Sequence, residues 1–161
     1  MTTTLKRALV ALTVGAAGFA LAGCSLLPGG GGTTTDTGDG GDTVDVFTIA
    51  VGDCLNDGGV EGEVSEVVKV DCAEEHDSEA YASIIMDDGD FPGDAAVEDQ
   101  AITDCTTEFN SFVGLDYQAS VLDFAYYYPT EASWGNGDRE ILCLIVDPAG
   151  KVTGSLEGAA R

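Results

Sequence analysis

Positive charge is scarce in this sequence. Six lysines and arginines stand against 29 aspartates and glutamates in 161 residues, a net charge of −23 with the single histidine neutral. Nucleic acid and anionic lipid surfaces are bound through clustered basic residues, so this composition excludes DNA and RNA as partners. No C-x-x-C pair occurs, which removes the usual Cys₄ zinc spacing. There is no Gly-rich phosphate loop, no H-E-x-x-H and no G-x-S-x-G. Carboxylates are so plentiful that no one pair stands out as an acid–base couple. No catalytic residue, cofactor or metal is therefore assigned. Long apolar runs are also missing: one uncharged stretch, residues 8–22, falls short of the roughly 20 residues that a bilayer span needs.

What is present begins with that stretch. Lys6 and Arg7 precede it, and Leu21-Ala22-Gly23-Cys24 closes it. A short positive region, an apolar run and small residues before the cut form a secretory signal peptide. A cysteine at the first mature position supplies the thiol that a lipid transferase converts to a diacylglycerol thioether. The sequence thus predicts a lipoprotein signal peptide at residues 1–23 and a lipidated Cys24 carrying acyl chains such as palmitate. One chain holds a protein only marginally, whereas two or more anchor it stably. The expected location is the extracytoplasmic face of the cell membrane. Removal of residues 1–23 leaves four basic against 29 acidic residues, a net of −25.

Four further cysteines remain, Cys54, Cys72, Cys105 and Cys143. An even number in an exported domain reads as two disulfides. Of the three possible connectivities, Cys54–Cys72 and Cys105–Cys143 are favoured; the first joins neighbouring strands and the second pins a helix to a strand.

Residues 24–45 follow the signal peptide as the lipidated cysteine and a Gly/Thr/Asp-rich segment. Such a composition buries nothing, so it reads as a flexible tether with a reach of roughly 25 Å. Asp36, Asp39, Asp42 and Asp45 recur every third residue, but they lack the alternating spacing and closing glutamate of a calcium loop. The folded domain is expected over 46–161. Val46–Ile49 reads as an opening strand, and alternation marks others at 63–71 and 80–86. A helix is predicted over 94–113, with Gly114 as its stop and Ile102, Cys105, Phe109 and Phe112 on its inner face. Strands follow at 118–128 and 140–146, and a short one at 152–156. The order predicts an α+β domain: a small antiparallel sheet with one helix packed on a face.

The residues resemble the septum-formation domain of actinobacterial envelope proteins. The series runs Val51-Gly52-Asp53-Cys54-Leu55, then Val70-Asp71-Cys72-Ala73-Glu74-Glu75-His76-Asp77 with Glu79-Ala80-Tyr81. Cys105 and Phe109 come next, then Pro129, Trp134, Gly137-Asp138-Arg139, Cys143 and Gly154-Ser155-Leu156. The resemblance covers about residues 47–156 and implies a link to cell-division septa. It names no reaction and no ligand.

Candidate binding residues are His76, Trp134, Asp138 and Arg139. His76 reads chiefly as a loop residue after a bridged cysteine, with a disulfide at Cys72 ruling out a Cys–His nucleophile. Phe124, Tyr126 and Tyr128 share one strand face and Tyr127 the other, mostly as packing. Trp134 lies among Gly135, Asn136 and Gly137 and is expected as an exposed contact ring. Arg139 is expected to pair with an acid that fixes this loop. The favoured reading is a non-enzymatic, lipid-anchored envelope domain that binds an envelope protein or cell-wall component. A small cell-wall hydrolase or transferase is one alternative; a cation-binding or structural surface lipoprotein is another.

Overall fold

A computed structural model describes residues 40–58 and 63–161. The signal peptide, Cys24, Asp36 and Asp39 lie outside the described residues. The elements run β1 (Asp42–Asp45), a 3₁₀ turn (Val46–Thr48), β2 (Cys54–Asn56), β3 (Glu66–Val70), β4 (Glu75–His76) and β5 (Ser78–Ile85). Helix α1 (Asp94–Val113), a 3₁₀ turn (Tyr117–Ala119), β6 (Asp123–Tyr127), α2 (Glu131–Trp134), β7 (Glu140–Val146) and β8 (Val152–Thr153) complete the order. Six strands form one antiparallel sheet in the order β1-β3-β2-β5-β7-β6, and β4 pairs with β8 in a small second sheet. The expected α+β architecture, one long helix on an antiparallel sheet with two disulfides, is the one found.

Strand β7 shows why the sheet is buried on both faces. Ile141, Cys143 and Ile145 point to the helix side; Leu142 and Leu144 point to the other. On the helix side they meet Val97, Ala101, Cys105, Phe109 and Val113, a stripe at steps of four that runs the length of α1. Ile102 was expected on that stripe, but it lies one position off it and is 45% exposed. Gly114 ends the helix in the left-handed conformation at φ 78°, and its N–H closes on the Asn110 carbonyl. A bulge between Ala80 and Ala82 in β5 turns Tyr81 and Ala82 to the same side, so the Tyr81 hydroxyl donates to the Cys105 carbonyl at 2.7 Å.

Two expectations about the N-terminal part are corrected. The sheet begins inside the segment read as tether, because β1 pairs with β3 from Asp42↔Lys69 to Asp45↔Glu66. Gly41 is what lets the chain approach β3 here. A Cβ there would meet the Lys69 carbonyl at 2.5 Å and the Val70 and Val68 methyls at 2.6 and 2.7 Å, so this glycine allows close packing. Val46–Ile49 is not a strand either. The Asp45 carboxylate accepts the Phe47 N–H at 2.9 Å and caps a 3₁₀ turn, leaving Phe47 exposed. Asp42 and Asp45 are the two ends of β1. The aromatic strand is also shorter than 118–128, because residues 117–119 form the second 3₁₀ turn.

Candidate functional site

Trp134, Asp138 and Arg139 come together at one corner. Thr130 and Ser133 form a reciprocal capping box that starts α2 and carries Trp134 inward. Trp134 is 6% exposed, so the expected exposed ring is not found. Its indole N–H donates to the Gly89 carbonyl at 3.0 Å, a partner 45 residues away in sequence, and Phe91 meets its edge with centroids 5.7 Å apart. The Arg139 guanidinium lies 3.8 Å over the ring. Such a stack contributes about 0.5–2 kcal/mol, depending on desolvation.

Arg139 also donates to the Trp134 and Asp138 carbonyls at 2.8 and 2.6 Å, and its Nε lies 3.3 Å from the Asp88 carboxylate. The acidic partner expected for Arg139 is therefore Asp88, across the chain, while Asp138 turns its carboxylate to the Glu140 N–H. Together these contacts clamp the β5–α1 loop to the start of β7. Beside the clamp opens a cleft of about 300 Å³ lined by Ile85, Asp87, Asp88, Asp90, Pro92 and Trp134, among others. Ile85 is 69% exposed at its edge.

The aromatic row of β6 is mainly packing. Phe124 and Tyr126 lie against the helix-side core, and Tyr127 against the opposite one. Tyr117, Phe124, Tyr126 and Tyr128 form a ladder of rings with centroids 5.0, 6.3 and 5.8 Å apart. Tyr128, at its end, is exposed, and the other three rings are partly buried. Burial raises the phenol pKa of Tyr81, Tyr126 and Tyr127 above the ordinary value. For Tyr117 the main cause is its 2.7 Å hydrogen bond to Asp123.

His76, expected in a loop, lies in a strand. It forms β4 with Glu75, is fully buried and lies near Cys54 and Glu79. The Cys54–Cys72 and Cys105–Cys143 disulfides are both formed, with Cα separations of 5.2 and 5.6 Å. Glu79 was not singled out from the sequence as a site residue. A buried carboxylate in an alternating strand leaves no local mark; its partners, Ser155 and Leu156, lie more than 70 residues on.

These features define a small, doubly disulfide-bonded α+β domain with a clamped acidic cleft and a buried polar cluster. The chain belongs to the septum formation family, whose pattern it matches over residues 51–160. No curated protein and no solved structure matches it. Among the described residues, no helix is long and apolar enough to cross a membrane.

Proposed function

We propose that this chain is a non-enzymatic interaction domain, lipid-anchored through Cys24 on the outer face of the cell membrane, that serves septum formation by binding a protein partner. Its family membership supports the septal role. The carrying observation for binding is the cleft beside Trp134, where exposed Ile85 stands next to Asp87, Asp88 and Asp90 over a clamped floor. An apolar contact ringed by negative charge fits a basic protein segment bearing one apolar side chain. The same charge disfavours anionic wall polymer. Anchoring rests on the order of Lys6, Arg7, the apolar run and Cys24.

A photo-crosslinking side chain at Ile85 in living cells tests this reading. A captured envelope protein is expected, and capture should fall at least tenfold when Asp87→Lys and Asp90→Lys reverse the rim. Asp88 is spared because it faces Arg139. Capture that ignores the charge reversal would rule out the cleft. A tagged chain spread evenly around the envelope would rule out the septal role, and a Cys24→Ala chain still held in the membrane fraction would rule out the anchor.

A further inference from the structure

Cys54, His76 and Glu79 are each buried, and one donor atom from each lies within 4.8 Å of the other two. The orientation of His76 is fixed by chemistry. Its Nδ1 lies 2.9 Å from the Glu74 carbonyl, which can only accept, so Nδ1 carries a proton and, in the neutral ring, Nε2 presents the lone pair. Nε2 is buried and has no hydrogen-bond partner among the described residues. Leaving such an acceptor unsatisfied is costly, so it calls for an explanation. An imidazole pinned through one nitrogen to a backbone carbonyl, with the other nitrogen free, is how proteins aim a metal-ligating histidine. Glu79 is held in a similar way. Ser155 Oγ donates to one carboxylate oxygen at 2.6 Å and the Leu156 N–H to the other at 2.8 Å. Each oxygen keeps a further lone pair.

The third donor is tied up, because Cys54 is bonded to Cys72 and its sulfur bears no charge. Cys72 is partly exposed while Cys54 is fully buried. An external thiolate therefore reaches Cys72 Sγ, and Cys54 is the sulfur that leaves. Cys105 and Cys143 are both fully buried, which puts the second disulfide out of reach of the same attack.

We propose that the Cys54–Cys72 disulfide gates a buried zinc-class metal site made of Cys54 Sγ, His76 Nε2 and a Glu79 carboxylate oxygen. Opening it requires a dithiol reductant, which supplies two electrons and two protons. The dithiol closes to its own disulfide, and Cys54 and Cys72 become thiols. Metal binding then releases the Cys54 proton to solvent and leaves a thiolate ligand. One sulfur, one imidazole nitrogen and one carboxylate oxygen suit tetrahedral zinc, with the fourth position open. Thiolate selects against calcium and magnesium. Tetrahedral donors around zinc sit about 3.3–3.6 Å apart. A Cys54 side chain released from Cys72 can rotate to close the remaining gap. The site is separate from the cleft beside Trp134 and does not depend on it.

The test uses the full chain with Cys24→Ser, so that no other free thiol competes, and with Cys72→Ser, which frees Cys54 and keeps Cys105–Cys143. Cobalt(II) serves as the visible stand-in for zinc. The expected result is one equivalent bound, with a thiolate-to-cobalt charge-transfer band that zinc abolishes by displacement. His76→Ala or Glu79→Gln in this background should weaken binding at least tenfold. In parallel, the Cys24→Ser chain with its disulfides intact should give no band. After treatment with an immobilised dithiol, which is removed before cobalt is added, the band should appear. A reduced chain that unfolds, or that folds without the band, overturns the proposal. So does a band indifferent to both His76→Ala and Glu79→Gln.

Discussion

The two disulfides sit in opposite chemical settings. Cys105–Cys143 lies wholly inside the helix-side core, among Val97, Ala101, Phe109 and Ile141, where the buried residues are almost all apolar. Cys54–Cys72 lies on the far side of β5, where it ties β2 to the end of β3 near the three buried polar residues His76, Ser78 and Glu79. The first region is stabilised by removing surface from water, and its cystine adds a covalent staple to packing already complete. The second tolerates polarity because each group is answered. Ser78 donates to Asp57, Glu79 accepts from Ser155 and Leu156, and His76 Nδ1 donates to Glu74. His76 Nε2 is the exception. One half is built for stability, while the other keeps a reactive arrangement in reserve.

Removing each cystine tests that contrast most strongly. By the loop-entropy model, the 38-residue separation of Cys105 and Cys143 is worth about 4 kcal/mol, and the 18-residue separation of Cys54 and Cys72 about 3 kcal/mol. The alanine pair at 105 and 143 also empties a sealed core, so its loss should exceed the other in urea unfolding. Equal losses, or the reverse order, would break the contrast.

Glu79→Leu comes next. It fills similar space but strands the buried Leu156 N–H and ends the Ser155 hydrogen bond, and should cost about 2 kcal/mol in the same measurement. A neutral result would mean that the polar half does not depend on its hydrogen bonds.

The smallest effect is alkaline. Tyr81 has its phenol pKa raised by burial above the ordinary value of 10.0. Its contribution is intact below pH 10 and is lost as pH rises, because the unfolded chain ionises first. At pH 11 this amounts to about 1.4 kcal/mol. Tyr127, on the opposite face, shifts in the same direction. Tyr81→Phe should flatten the loss above pH 10, read from melting temperature against pH.

Much of the fold was legible where it is written locally. The helix bounds at 94 and 113 and the glycine stop follow from periodicity and punctuation, the strand at 140–146 from its apolar run, and both cystines from cysteine order and placement. What stayed hidden depends on distant partners. Gly41 reads as linker because a glycine required by Lys69 looks the same as one chosen for freedom. Trp134 reads as exposed because its neighbours are polar, while Gly89, Phe91 and Arg139 cover it. His76, Cys54 and Glu79 lie on three strands, and only the pairing of β2 with β5 and of β4 with β8 brings them together.

The seating of Gly41 and β1 has a mechanical side. Any pull arriving along the chain from residue 40 loads the β1–β3 ladder first, and β1 is an edge strand of four residues. Peeling it away would lengthen the chain while the rest of the sheet stays intact. The next strand cannot follow easily, because Cys54–Cys72 bolts β2 to the end of β3. The edge strand would thus act as a fuse and the cystine behind it as a stop, so that tension is absorbed before it reaches the cleft.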